Sequence, residues 1–199
     1  MSLPSENLIE NGQNLDQVLM EAGIEVLGPL EAERIFRQVS REPAGPGWAT
    51  LPAIYRAIKQ HYGDPAAQGV GVRLGRAALK NGLRLWGQQA GLNDAEFRLQ
   101  PSPRKVRWLL TVLCERLTQQ SGAPASFRED GQYWFLTVES CLACRGMHAD
   151  KPDCPIITGL LQELMSWSAG GRFHCVEEIT CCAQGASVCQ FRIEKKALD

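Results

Sequence analysis

The stretch ASFREDGQYWFLTVE, residues 125–139, is where the pattern of the chain changes. Upstream, apolar residues recur every three or four positions, the period of a helix with one buried face. Within the stretch they alternate. Trp134, Leu136 and Val138 point one way and Tyr133, Phe135 and Thr137 the other, as in a strand with one buried side. Asp130-Gly131 between two such runs is a strong hairpin turn signal, so 125–128 and 132–138 are expected to pair as antiparallel strands.

Working back toward the N-terminus, every periodic segment predicts a helix. Leu15, Val18, Leu19 and Ala22 fall on one face, with Gly23 expected to end that helix. A second spans 30–39 with Ile35, Phe36 and Val39 inward, and Pro43, Gly45, Pro46 and Gly47 mark 40–49 as a loop. Thr50 and Pro52 open a third that stops at Gly63. Residues 68–90 form one long helix, whose Gly69, Gly71 and Gly75 do not make the GxGxxG of a dinucleotide site and predict close helix packing instead. Ser102 caps another, with a stripe of Val106, Leu109, Leu110, Leu113 and Leu117.

Downstream of the hairpin, Asp153 is expected to cap a helix running to Ala169, ended by Gly170-Gly171. Two last strands, 172–182 and 188–194, flank a turn at Gln184-Gly185. The fold class is α+β: N-terminal helices, then a small antiparallel sheet with a crossing helix. A helical part, 1–122, and a cysteine-rich part, 123–199, are expected to form one compact domain together.

The bulk properties narrow the function classes. The chain has 199 residues, 44% apolar and 22% charged, in the ordinary globular range. A net charge of −1 supplies no field for nucleic acid or an anionic membrane, and no apolar run is long enough to span a bilayer. The polar N-terminus lacks the features of a signal peptide, so a cytoplasmic location is expected. In a reducing compartment the eight cysteines read as ligands, redox groups or buried apolar residues rather than disulfides. Seven of them fall between Cys141 and Cys189, and that clustering predicts a bound metal.

Cys181 and Cys189 flank the final turn, Glu178 precedes it, and Cys154 opens a helix whose N-terminus favours a thiolate. Cys154, Glu178, Cys181 and Cys189 thus make a closed four-ligand set of the kind zinc takes in structural sites. Strict alternation puts Glu178 and Cys181 on opposite faces, so the set needs a bulge or a strand that ends before Cys181. Cys182 is the fallback ligand and Cys175 reads as a small apolar residue. Cys141 and Cys144 form a CxxC. With Cys154 they also permit an iron–sulfur cluster completed by Cys181 or Cys189. His148 is a weaker candidate ligand.

These residues resemble a known family. The run of Cys154 to Gly159, then Gly170-Gly171, Val176-Glu177-Glu178, Cys181, Gly185, Cys189 and Phe191 is similar to the 4-vinyl reductase domain. That domain occurs in small stand-alone hydrocarbon-binding proteins, in a bacteriochlorophyll biosynthesis protein, and as the sensor half of aromatic-responsive activators. The resemblance is clearest over 141–193; upstream, Tyr62-Gly63 and Gly75-Arg76 extend it more loosely. It implies a fold like that of TRAPP subunits, zinc on the residues matching Cys154, Glu178, Cys181 and Cys189, and an apolar pocket between helices and sheet. It further implies a homodimer through the N-terminal helices. Trp108, Tyr133, Trp134, Phe135 and Trp167 are candidates to line such a pocket.

No Ser–His–Asp set, carboxylate pair or nucleotide loop is evident, so no catalytic residues are assigned. The expected function is a soluble metal-containing module that binds a hydrophobic small molecule (hydrocarbon, aromatic or tetrapyrrole-like) in a sensing or carrier role. The alternative is a 4-vinyl reductase, an oxidoreductase acting on a tetrapyrrole vinyl group, or an accessory protein in (bacterio)chlorophyll biosynthesis.

Overall fold

Where the apolar residues recur at helical spacing the chain coils, and where they alternate it extends. The computed structural model describes residues 12–40, 47–87, 91, 92 and 94–198. Among these, the helices are α1 (Gly12–Leu27), α2 (Pro29–Val39), α3 (Leu51–Tyr62), α4 (Asp64–Trp86), the short α5 (Ala95–Arg98), α6 (Ser102–Ser121) and α7 (Pro155–Ser168). The strands are β1 (Ala125–Glu129), β2 (Tyr133–Glu139), β3 (His174–Thr180) and β4 (Val188–Ala197). They form one antiparallel sheet in the order β1-β2-β4-β3. The expected α+β architecture, helices first and a sheet with one intervening helix after, is the observed one. No helix among the described residues is long and apolar enough to cross a membrane.

The hairpin signal at Asp130-Gly131 acts through one side chain. Asp130 Oδ1 accepts from the backbone N–H groups of Gln132 and Tyr133 at 2.8 and 2.7 Å, which closes the turn and sets the β1–β2 register. That register buries Trp134, Leu136 and Val138. A single apolar core runs through the helices and the inner face of the sheet, with Tyr55, Leu110, Leu161, Met165, Phe191 and Ile193 among its largest members.

The glycines of α4 are packing residues. Gly75 and Gly159 lie where α4 crosses α7: a Cβ on Gly75 would sit 1.9 Å from the Ile156 carbonyl oxygen, and one on Gly159 would sit 2.0 Å from that of Val72. The two backbones touch there, and no side chain fits between them. Gly71, one turn earlier, accommodates the Pro155 ring in the same way.

Three expectations need correction. Gly23 does not end α1, which continues to Leu27; Gly23 instead makes room for the Phe36 ring of α2, and the chain turns at Gly28 with φ +83°. The long helix begins at Asp64, not 68. Asp153 does not cap α7, for the residue in that position is Cys154. Asp153 is buried, taking a 2.6 Å hydrogen bond from the Tyr55 hydroxyl and a 2.8 Å ion pair from Lys59, both on α3. Residues 41–46 of the expected loop and 88–90 at the expected end of α4 lie outside the described residues.

Candidate metal centre

All eight cysteines are free thiols, and five of them meet at one end of the sheet. The topology makes this possible. β2 and β3 both finish at that end, β4 begins there, and the loop that leaves β2 returns to open α7 beside them.

Each approach has a local cause. After β2, Ser140 adopts φ +45°, a left-handed conformation that turns the chain sharply into Cys141. A 3-10 turn, Leu142–Cys144, follows; at three residues per turn it brings Cys141 and Cys144 to the same side. The loop is fastened to the final turn by the Ala149 N–H on the Ala183 carbonyl at 3.0 Å, and to α3 by Asp153. On β3 the register slips between Glu178 and Thr180, which pair with the consecutive Phe191 and Gln190. The strand then ends before Cys181. The bulge and the early end together let Glu178 and Cys181 face the same point despite their spacing. Gly185, at φ +88°, completes the turn that returns Cys189 to the cluster.

The resulting geometry is tight. Cys154, Cys181 and Cys189 sulfurs form a triangle with all three edges 3.8 Å. Glu178 hangs over it: its Oε2 accepts from the Cys154 backbone N–H at 2.7 Å, while its buried Oε1 has no hydrogen-bond partner. These four ligand atoms lie within 4.8 Å of one another. A second quartet, Cys141, Cys144, Cys154 and Cys189, meets the same limit, with the Cys144 and Cys189 sulfurs 3.5 Å apart. Each quartet can hold a metal ion.

Burial and mutual repulsion make the cluster electrostatically costly on its own. Burial, then the neighbouring Cys181 charge, pushes the Glu178 carboxyl up to about 9. Hydrogen bonding from Cys144 holds Cys141 well below the usual thiol range, while interaction with Cys141 drives both Cys154 and Cys189 upward. Six anionic-capable groups cannot all ionise in one buried space without a cation among them.

All four residues singled out as ligands from the sequence are therefore brought together, and so are Cys141 and Cys144, which sequence reasoning ties only to a separate cluster. Cys182 stays outside both quartets; its backbone N–H donates to the Cys189 sulfur at 3.2 Å. Cys175 is half-buried on β3 and His148 is exposed, each away from the sulfurs.

Residues 134–195 match the 4-vinyl reductase domain. Every member of both quartets lies inside that matched span. A search among curated proteins finds no match. Among solved structures, the chain overlays an H-NOX protein from S. oneidensis in the Fe(II)NO ligation state with a TM-score of 0.60 at 12% identity, covering 93% of this chain and 98% of that one. This shows a shared fold. A trafficking protein particle complex subunit 3 from Naegleria fowleri, covalently bound to palmitic acid, overlays with a TM-score of 0.44 at 10% identity over 89% of this chain and 97% of that one. A vinyl-4-reductase family protein from Methanocaldococcus jannaschii gives 0.43 at 14% identity over 85% and 92%.

The five aromatic candidates do not line one space. Trp134 faces the core, whereas Tyr133 and Phe135 stand on the opposite sheet face under Arg192 and Arg128. Trp108 on α6 and Trp167 on α7 flank Phe97 of α5, at ring separations of 5.1 and 5.9 Å. Beside the metal centre opens a cavity of about 640 Å³ with polar walls that include Lys59, Gln68, His148, Lys151 and Asp153.

Proposed function

We propose that the chain is a zinc-stapled module that takes up a hydrophobic small molecule, in a sensing or carrier role. The observation that carries the metal is the sulfur triangle. A tetrahedral zinc with Zn–S distances of about 2.3 Å requires sulfurs about 3.8 Å apart. That is the edge length of the Cys154–Cys181–Cys189 triangle, and the partnerless Glu178 oxygen supplies a fourth donor. Inorganic sulfides in an iron–sulfur cluster would hold cysteine sulfurs farther apart, so the geometry favours a mononuclear ion over that alternative. A site closed by four protein ligands is structural: it ties α7, β3 and β4 together and leaves ligand binding to the apolar interior.

The match to the 4-vinyl reductase domain supports the small-molecule half of the proposal. Phe97 marks the place of entry. It is a buried ring on a four-residue helix, wedged between two tryptophans at the helix–sheet interface. An aromatic or tetrapyrrole-like guest that displaced it would stack on Trp108 and Trp167. The helical part and the cysteine-rich part act as one folding unit, and exposed Ile24 and Leu30 offer an apolar surface for a homodimer through the N-terminal helices. Thiol ligands that must stay reduced fit a cytoplasmic location.

The test is to titrate the zinc-loaded protein with biphenyl and with protoporphyrin while following tryptophan fluorescence and thermal unfolding. Quenching with a rise in melting temperature is expected for at least one, and Phe97→Ala should strengthen binding. Zinc-loaded protein that binds neither probe, and that carries no apolar molecule in native mass spectrometry, would overturn the reading.

A further inference from the structure

We propose that this end of the sheet holds two thiolate-bound metal ions, bridged by the sulfurs of Cys154 and Cys189. The inference rests on the metal reading above and extends it to Cys141 and Cys144. Two quartets with the same compactness share Cys154 and Cys189, so six residues supply two four-ligand shells. One shell is Cys141, Cys144, Cys154 and Cys189; the other is Cys154, Glu178, Cys181 and Cys189.

Three observations separate this from one zinc with two spare thiols. First, all five cysteines are nearly inaccessible, each at 3% exposure or less, so Cys141 and Cys144 are built into the centre rather than lying at its rim. Second, the CxxC turn presents both of its sulfurs to the cluster, with Cys144 in van der Waals contact with Cys189. Third, the two shared sulfurs are those with extra support for negative charge. Cys154 stands at the N-terminus of α7, and Cys189 receives the Cys182 N–H. A bridging thiolate pair concentrates residual charge on the bridging sulfurs, because two divalent ions offset four of the six ligand charges.

The donor set fixes the class of ion. Five thiolates and one carboxylate suit Zn²⁺ or another soft, thiolate-binding ion, and not Mg²⁺ or Ca²⁺. Loading displaces thiol protons into solvent, with no change of oxidation state.

The experiment uses the full chain, kept reduced, stripped with chelator and reloaded with Zn²⁺. Native mass spectrometry and elemental analysis should count two zinc ions per chain, and one in the folded double variant C141S/C144S. One ion in the wild type, unchanged in the double variant, would overturn the bridged pair and leave the single-zinc reading standing. One ion that the double variant loses would overturn both, placing the metal in the all-cysteine shell. No bound zinc, or a brown protein containing labile sulfide, also sinks both. Should C141S/C144S fail to fold, Co²⁺ reloading of the wild type decides. Bridging sulfurs couple the two spins, so the second equivalent should diminish the cobalt resonance of the first; additive signals would overturn the bridge.

Discussion

The two ends of the sheet each bury part of a glutamate, and they treat it in opposite ways. At one end, Glu129 of β1 lies between Arg107 of α6, at 2.5 Å, and Lys195 of β4, at 2.7 Å. Their hydrogen bonds hold its carboxyl down to about 2. At the other end, Glu178 of β3 has thiols for neighbours, one oxygen without a partner, and a carboxyl pushed up to about 9. The chain supplies its own cations at the first end. At the second it gathers anionic groups and leaves their neutralisation to an ion from outside. A protein end completed by its own side chains is structural on its own account, and one completed from outside is conditional on that ion.

The largest effect should come from breaking the conditional end. Cys189→Ala removes a sulfur common to both quartets. Its expected result is loss of bound metal and destabilisation on the order of 4 kcal/mol, the range in which loss of a structural metal falls. Elemental analysis and chemical denaturation measure both. Unchanged metal content would remove the contrast between the two ends.

A second variant tests whether α7 needs the metal to stay in place. Gly75→Ala introduces a methyl 1.9 Å from the Ile156 carbonyl, so α4 and α7 must part along their crossing. We expect a loss of about 3 kcal/mol with metal still bound, since overpacking against backbone cannot be relieved by a rotamer change. Metal loss in Gly75→Ala would show that the helix crossing and the cysteine centre are one cooperative unit.

Glu178→Gln sharpens the contrast further. The amide can keep the hydrogen bond from the Cys154 N–H while losing the anionic donor. Zinc affinity should fall by roughly 10–100-fold, as it does when the electrostatic support of a metal site is removed. Competition with a chromophoric chelator reads this directly. An affinity equal to that of the wild type would remove Glu178 from the ligand set.

How much of this is legible in the sequence follows the range of the interactions. The hairpin at Asp130-Gly131, the alternation in β2 and the helical stripes are local patterns, and the structure has them where the sequence predicts them. The need for a bulge near Glu178 is also readable, because strand parity is local arithmetic. Asp153 reads as a cap because its partners, Tyr55 and Lys59, lie over ninety residues away. A cap and a buried ion-pair anchor look alike in one dimension. Gly23 reads as a helix stop because nothing nearby reveals the Phe36 ring that needs its space. The joining of the CxxC to the later cysteines is hidden for a similar reason. Spacing along the chain shows that Cys141 and Cys144 face together, but only the return of β4 shows that they face Cys189.

The smallest expected effect is at the self-sufficient end. Glu129→Gln should cost about 1 kcal/mol near neutral pH, because the ion pairs are partly exposed and screened by solvent. The pH dependence has a definite sign. The folded-state pKa of Glu129 is depressed to about 2 from an ordinary value of 4.5, so its contribution is fully present above pH 4.5 and is lost as pH falls toward 2. Metal release at low pH affects the wild type and the variant alike, and subtracting one denaturation curve from the other removes it. The difference between the two proteins should therefore shrink to nothing between pH 4.5 and 2, and also shrink with added salt. A difference that survives at pH 2 would mean that Glu129 acts through packing rather than charge. The end of the sheet that needs no outside ion would then owe its completeness to shape alone.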